Sequence, residues 1–555
     1  MNRKRAILAA FALLLVQVMA VMPVAAQSAD SPDLTVITAI RQEGFRRSQV
    51  MNILSDLTDM IGPRLTGSPS MLKANEWTRD KLTSFGLKNA HMESWGQFGR
   101  GWDNEFVSVR MVQPDISMLY ALPKAWTPGT NGVVKADVVM VKIDTPEDIE
   151  KYRGKLAGKI VLLGDPRDLK IHEEAESERY DEKKLSELVA FSASNPYESR
   201  RAAILAQRAL QRKVGKFLEE EKALASIDCS RGDGGTLFVQ GTQAYKQDEP
   251  IGIPSLVMAA EHYGRIVRLL QRNYPVQLEL DVRNKFVDKA EAFNTIAEIP
   301  GTDKKDEIVM LGGHLDSWHA GTGATDNAAG VAVVMEAVRI IEALGLKPRR
   351  TIRIGLWSGE EEGLLGSKAY VAEHFGNRER VLTAGMNPET PEYLRPLGKL
   401  TLKPDQAKLA GYFNLDNGTG KIRGIYAQEN AAVRPIFEKW FEPFSDLGAT
   451  SVTMRNTSGT DHLSFDAVDI PAFQFIQDPI EYETRTHHSN MDVYERLQKE
   501  DLMQASVIMA SFVYNAAMRD QMLPRKPIEK PNGEQLRTNV AAAPAAAESG
   551  GGGKK

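Results

Sequence analysis

His314 and Asp316 stand two positions apart, and Asp326 follows them past the glycine-rich turn Gly321-Thr322-Gly323. Imidazole and carboxylate donors without a thiolate suit zinc, cobalt or manganese. Farther along, Glu360-Glu361-Glu362 places three acids in a row. Adjacent side chains leave an extended backbone in opposite directions, so one glutamate can hold a metal while its neighbour faces a water. Asp416 and the pair His487-His488 add a carboxylate and further imidazoles. Taken one at a time, each has an ordinary alternative: a solvated loop with a chance histidine, an exposed acidic loop, a turn aspartate. Tyr482 and Arg485 precede His488 in the same loop. Tyr482 is a candidate for hydrogen-bonding an oxyanion. Arg485, beside Glu481 and Glu483, is a candidate for reading one end of a peptide, because an arginine can make two parallel hydrogen bonds to a carboxylate. Thr460-Asp461-His462 reads as a capping or orienting segment.

These groups must be positioned by the elements around them. Ile308-Val309-Met310-Leu311 is a continuous apolar run, suited to a strand covered on both faces, and Gly312-Gly313 close it just before His314. From Asn327 to about Leu344 an amphipathic helix is expected, with Glu336, Arg339 and Glu342 on its wet side and Val334, Val338 and Ile341 on the dry one. Strands are expected at 351–358, which leads into the glutamate run, at 412–416 and at 470–476. Helices are expected at 48–60, 71–85 and 501–518. Strands alternating with helices argue an α/β fold with a mostly parallel central sheet flanked by helices. In such sheets ligands sit beyond the carboxyl ends of the strands, where His314, the glutamates and Asp416 fall. Residues 27–45 read as a frayed start.

The chain has 555 residues, enough for several domains, with 42% hydrophobic and 26% charged residues and a formal net charge of -4. That balance predicts no grip on nucleic acid. Residues 1–26 read as a secretory signal: Arg3-Lys4-Arg5, then an apolar stretch, then Val24-Ala25-Ala26. The alternative is an uncleaved anchor. The expectation is an exported protein, periplasmic or extracellular, without stable membrane contact once the signal is cut. One cysteine, Cys229, excludes an intrachain disulfide. The texture divides the rest into 30–123, a β-rich insert with a charged helical excursion at 124–288, a resumed host at 289–522, and a Pro-, Ala- and Gly-rich tail at 523–555 expected to be disordered.

In order, the set runs His, Asp, Glu-Glu, Asp, His. It resembles metallopeptidase family twenty-eight, whose pattern H-x-D, D-[DN]-x-x-G, E-E-x-G-L, a post-strand Asp and H-[TS]-x-x-D matches His314-Leu315-Asp316, Asp326 to Gly330, Glu360 to Leu364, Asp416 and His488 to Asp492. The resemblance covers 61–67 and 294–518, and the layout is closest to carboxypeptidase Q-like members. Tyr152 to Ile160 makes the insert similar to a protease-associated domain. The resemblance implies the three-layer zinc-exopeptidase fold and two Zn2+ per chain. It implies that Asp326 bridges the ions, that His314 and Asp416 hold one, and that Glu361 and His488 hold the other. Glu360 would be the general acid/base, and Asp316 would orient His314. Short peptides or dipeptides are the implied substrates, with the end that is read left open, as is a homodimer. The same fold also hosts single-zinc glutaminyl cyclases and non-catalytic receptor-like ectodomains, although those lose ligands or the base that this chain keeps.

Overall fold

The structure, a computed structural model, describes residues 30–527 apart from 191–195, 384, 387, 389 and 391–394. The expected signal at 1–26 and the tail beyond 527 lie outside the described residues. In chain order the strands are β1 (Lys88–Gln113), β2 (Ser117–Met118), β3 (Ala121–Pro123), β4 (Val134–Val141), β5 (Ile160–Leu163), β6 (Ala225–Cys229), β7 (Ser255–Met258) and β8 (Gln277–Ile299). They continue with β9 (Lys304–His314), β10 (Arg350–Trp357), β11 (Gly376–Arg380), β12 (Leu397–Leu402), β13 (Leu409–Asn414), β14 (Ile422–Tyr426), β15 (Ser451–Thr453) and β16 (Ala472–Gln477).

The apolar run at 308–311 forms the middle of β9, at the centre of a sheet ordered β15-β14-β16-β13-β9-β10-β8. β16, β13, β9 and β10 run parallel, and antiparallel pairs flank them at β14–β16 and β10–β8. Val309, Met310 and Leu311 are all fully buried because alternate side chains face two different cores. Val309 and Leu311 pack with the helices Ala329–Ala343 and Lys499–Met518. Met310 packs on the other side with Trp357, Tyr370, Tyr412 and Phe465. The result is an α/β sheet between helical layers, as the alternation of elements predicts.

Four expectations need correction. Residues 34–46 are not frayed. They form a helix, Leu34–Arg46, whose N-cap Asp33 accepts hydrogen bonds from Thr35 N and Val36 N, and which buries Ile37 and Ile40. The helix after Asp326 begins at Ala329, and Glu336 does not lie on a wet face. It is fully buried, where Arg339 donates to both of its oxygens and also reaches Glu43 at 3.0 Å. A carboxylate can be buried at that position because its charge is matched and its oxygens are bonded. The helix begun at Val50 widens at 56–61 into a π turn. The expected tail starts too early: Leu523 is buried, and Arg525 donates to the carbonyls of Asp469, Gln406 and Leu409.

The insert has a core of its own. β8 leaves the main sheet, and its N-terminal half pairs with β4, which begins a second sheet ordered β4-β5-β6-β7-β3. Val138, Ile160, Ile227, Leu256 and the helix residues Tyr263 and Ile266 share one apolar cluster with Val109, Met111 and Leu119. The module therefore draws its first strands from before residue 124. β1 pairs with β8 along nearly its whole length, so one two-stranded ribbon runs through both sheets. From this module an arm, residues 171–190, reaches back over the main sheet. Glu178 bridges to Ile480, Arg179 pairs with Asp478 and Asp501, and Thr453 donates to Leu188 O. No helix among the described residues is long and apolar enough to cross a membrane.

Candidate active site

Parallel register sets the level of the first two groups. Asn414 pairs with Gly312, so Asp416, just past β13, stands level with His314 at the end of β9. His314 Nε2 lies 3.2 Å from Asp416 Oδ1 and 3.2 Å from Asp326 Oδ1. The second oxygen of Asp326 turns the other way, 3.2 Å from His488 Nε2, and His488 Nε2 lies 3.0 Å from Glu361 Oε2. Asp326 therefore belongs to two triads at once.

The local sequence explains how Asp326 is held. The Asp326–Asn327 peptide is cis. Asn327 Nδ2 donates to Leu415 O at 2.9 Å, and Asn327 Oδ1 accepts from Gly330 N at 3.0 Å, which ties the turn to the end of β13. A Cβ at Gly330 would stand 2.2 Å from Leu415 O, so the D-N-x-x-G spacing ends on the one residue that fits. Asp492 accepts from Thr325 N and Asp326 N at 2.5 and 3.2 Å. Burial, reinforced by Asp326, pushes the Asp492 carboxyl up to about 7. Beneath lies Arg64, fully buried, donating to the carbonyls of Leu315, Thr322 and Gly323. Burial pulls it down to about 10 against Asp492, Asp316 and Asp326, so it stays charged among the acids.

Asp316 does more than the resemblance implies. His314 Nδ1 bonds to the Asp316 carbonyl at 3.0 Å, with the Asp316 carboxylate 3.6 Å away. That carboxylate instead accepts from Thr66 Oγ1, Glu360 N and Glu361 N, at 3.0, 3.3 and 3.2 Å. One residue thus orients the imidazole through its backbone and the glutamate pair through its side chain. His314, Glu360 and Glu361 can present ligand atoms within 4.8 Å of one another.

The electrostatics are those of crowded acids. Burial, then Asp416 and Glu361, lift the Glu360 carboxyl well above the usual range, against the opposing charge of His314. Burial also raises Glu361. Burial lowers His488, but Glu361 and Asp326 outweigh it and carry the ring up to about 10. Asp326 Oδ2 and Glu361 Oε1 are buried without a hydrogen-bond partner, as expected of oxygens that await a metal. Each triad offers three nitrogen and oxygen ligands, the complement of a catalytic zinc site with a position left open.

Tyr482 is brought to the site. It is buried, its ring stacks on His487 at 4.6 Å, and burial with Asp326 and Asp416 holds its phenol well above the ordinary value, so it remains a neutral donor. Arg485 is already engaged: its guanidinium pairs with Glu176 of the arm and lies 3.9 Å from Glu481. Two contributors, Trp318 and Gln240, were not singled out from sequence, and His487 entered only as one of a histidine pair. Trp318 Nε1 donates to Glu361 Oε2 at 2.7 Å, His487 Nε2 lies 3.8 Å from Asp326 Oδ2, and Gln240 lies 3.0 Å from His488 Nδ1. Trp318 sits between His314 and Asp326, but nothing in its spacing marks it. No local signal connects Gln240 to a loop 248 residues away.

Residues 294–513 match the family model "Peptidase family M28". Carboxypeptidase Q of Mus musculus is 25% identical over 470 residues, covering 84% of this chain and 86% of the relative, and the Homo sapiens protein is 25% identical over 474. The crystal structure of a peptidase M28 precursor from Shewanella amazonensis SB2B superposes with a TM-score of 0.62 at 25% identity, covering 89% of this chain and 99% of the other. The match spans every group of the two triads, and the alignment to the relatives takes in the inserted module as well as the sheet that carries the site. Residues 294–513 are thus similar to peptidase family M28 and most of the chain is similar to carboxypeptidase Q, and the chain is a metallopeptidase.

Proposed function

We propose that the chain is an exported zinc exopeptidase that cleaves short peptides and dipeptides with two metal ions per chain. The observation that carries this reading is Asp326, whose two oxygens face two separate sets of ligands. His314 and Asp416 would complete one set, Glu361 and His488 the other. When bound, the ions supply Lewis acidity that lowers the pKa of water and polarises a peptide carbonyl. Glu360 accepts the proton of the attacking water and passes it to the leaving amine. Its place beside His314 and Glu361, with its backbone N–H held by Asp316, supports that role. The neutral phenol of Tyr482 would donate toward the developing oxyanion. Asp316 keeps both Glu360 and His314 in place.

The module beside the site resembles a protease-associated domain. Its arm crosses the loop that bears Tyr482 and His488, which supports limited access and short substrates. Zinc analysis with cleavage of free, amino-acetylated and carboxyl-amidated dipeptides tests the reading. About two zinc per chain and cleavage of unblocked dipeptides are expected. Strong loss on amidation assigns the carboxyl end, and loss on acetylation assigns the amino end. One zinc per chain with glutaminyl cyclisation and no hydrolysis would overturn the proposal.

A further inference from the structure

The two triads are built differently. His314 finds the partner for its outer nitrogen two residues along its own chain, at the Asp316 carbonyl. His488 finds its partner in the inserted module, where the amide nitrogen Nε2 of Gln240 lies 3.0 Å from Nδ1. His488 directs Nε2 at Asp326 and Glu361, so Nδ1 is the end left for an orienting bond. An imidazole that ligates through Nε2 carries its proton on Nδ1, and that proton needs an acceptor. The amide of Gln240 can supply its oxygen, since the two ends of an amide have nearly the same shape and can exchange places by rotation.

The backbone repeats the pattern. His488 has φ +65, a left-handed conformation that a side-chain-bearing residue adopts only when its surroundings hold it there. Those surroundings are the module. Val239 N donates to His488 O at 3.0 Å, Asn490 N donates to Leu237 O at 3.0 Å, and Leu237 N donates to Asn490 Oδ1 at 2.7 Å. A bridge between Phe238 and Ser489 closes the set. Module residues 237–240 therefore lie against the ligand residue on its main-chain and side-chain sides. The triad of His314, Asp416 and Asp326 uses only groups of the main sheet and its loops.

We infer that Gln240 is a positioning residue for His488, and that the metal site shared by His488 and Glu361 is assembled by the inserted module, while the site of His314 and Asp416 is not. This rests on the two-metal reading above. It makes the two sites unequal: the module-dependent one is the weaker and is emptied first.

The test is stepwise zinc titration of the metal-stripped full-length protein by competition with a chromophoric chelator, with cobalt absorption as a second readout. Gln240→Met keeps the length of the side chain and removes the acceptor. Gln240→Glu keeps an acceptor. For Gln240→Met, one equivalent should bind as in the unaltered protein and the other about ten- to a hundredfold more weakly, the usual loss on removing an outer partner of a metal-bound histidine. The cobalt band of that equivalent should shift, and the unfolding midpoint of the metal-free protein should not. Gln240→Glu should restore the second equivalent. Wild-type affinity for both equivalents in Gln240→Met, equal weakening of both, or no rescue by Gln240→Glu overturns the inference. A single equivalent bound by the unaltered protein overturns the two-metal reading and this inference with it.

Discussion

Trp318 Nε1 donates to Glu361 Oε2 at 2.7 Å, and that same oxygen faces His488 Nε2 at 3.0 Å. The indole therefore fixes the rotamer of the carboxylate proposed as a ligand, while its ring packs edge-on to the imidazole at 6.0 Å. Trp318→Phe keeps an aromatic ring and deletes the donor. Zinc affinity should fall about tenfold, with a parallel loss in kcat/KM that excess zinc restores. Unchanged zinc affinity would show that packing alone sets Glu361.

The neighbouring glutamates should separate cleanly. Glu360→Gln keeps size and loses the proton acceptor, so zinc content should stay near normal while kcat drops about a hundredfold or more. Glu361→Gln should lose one equivalent of metal. Metal analysis beside steady-state kinetics checks both, and exchanged phenotypes would move the roles by one residue.

Gly330→Ala places a methyl 2.2 Å from Leu415 O and against the side chain of Asn327. The backbone must shift, at a cost of about 1–3 kcal/mol typical of overpacking, and Asp326 shifts with it. Urea denaturation of the metal-free protein and zinc content should both register the change. A substitution silent in both would mean that the turn relaxes without moving Asp326.

The arm should loosen at alkaline pH. Asp233 first, then Glu176, raise His172 above its ordinary value, with Arg485 opposing. A histidine raised on folding contributes stability that is full below its unfolded value of about 6.5 and is lost as pH climbs through the raised value. Proteolysis or hydrogen exchange across the arm should therefore increase from neutral to alkaline pH. In His172→Gln it should be high at all pH values. A pH-independent arm in the unaltered protein would exclude the clasp.

The site was legible in the sequence to the extent that its geometry is local. His314, Glu360 and Asp416 stand where buried apolar strands stop, and the family resemblance picks them out together with Asp326 and His488. What the sequence concealed depends on distant partners. Glu336 scores as a surface acid until Arg339 and Glu43 close on it. Residues 34–46 look like a loose terminus until the main core covers Ile37 and Ile40. Arg64 passes for part of a helix-breaking segment until three carbonyls from 315–323 surround it. Gln240 has no periodic or motif signal at all. Each of these was settled by burial and pairing across hundreds of residues, which local pattern cannot report.

The ribbon of β1 and β8 also works as a gauge. One end is registered against β10 beside the strands that present His314 and the glutamates, and the other carries the module that meets His488. Its register slips are crowded between Ser94 and Gly101, where the two sheets part. One residue added to β8 there would lengthen the span by about 3.3 Å and reverse which side of the strand faces each core. The gap between Gln240 and His488 is smaller than that step. Strand length far from any ligand thus sets the tolerance to which the catalytic centre is assembled. Insertions and deletions in this ribbon should be far more damaging than in the surface loops of either half.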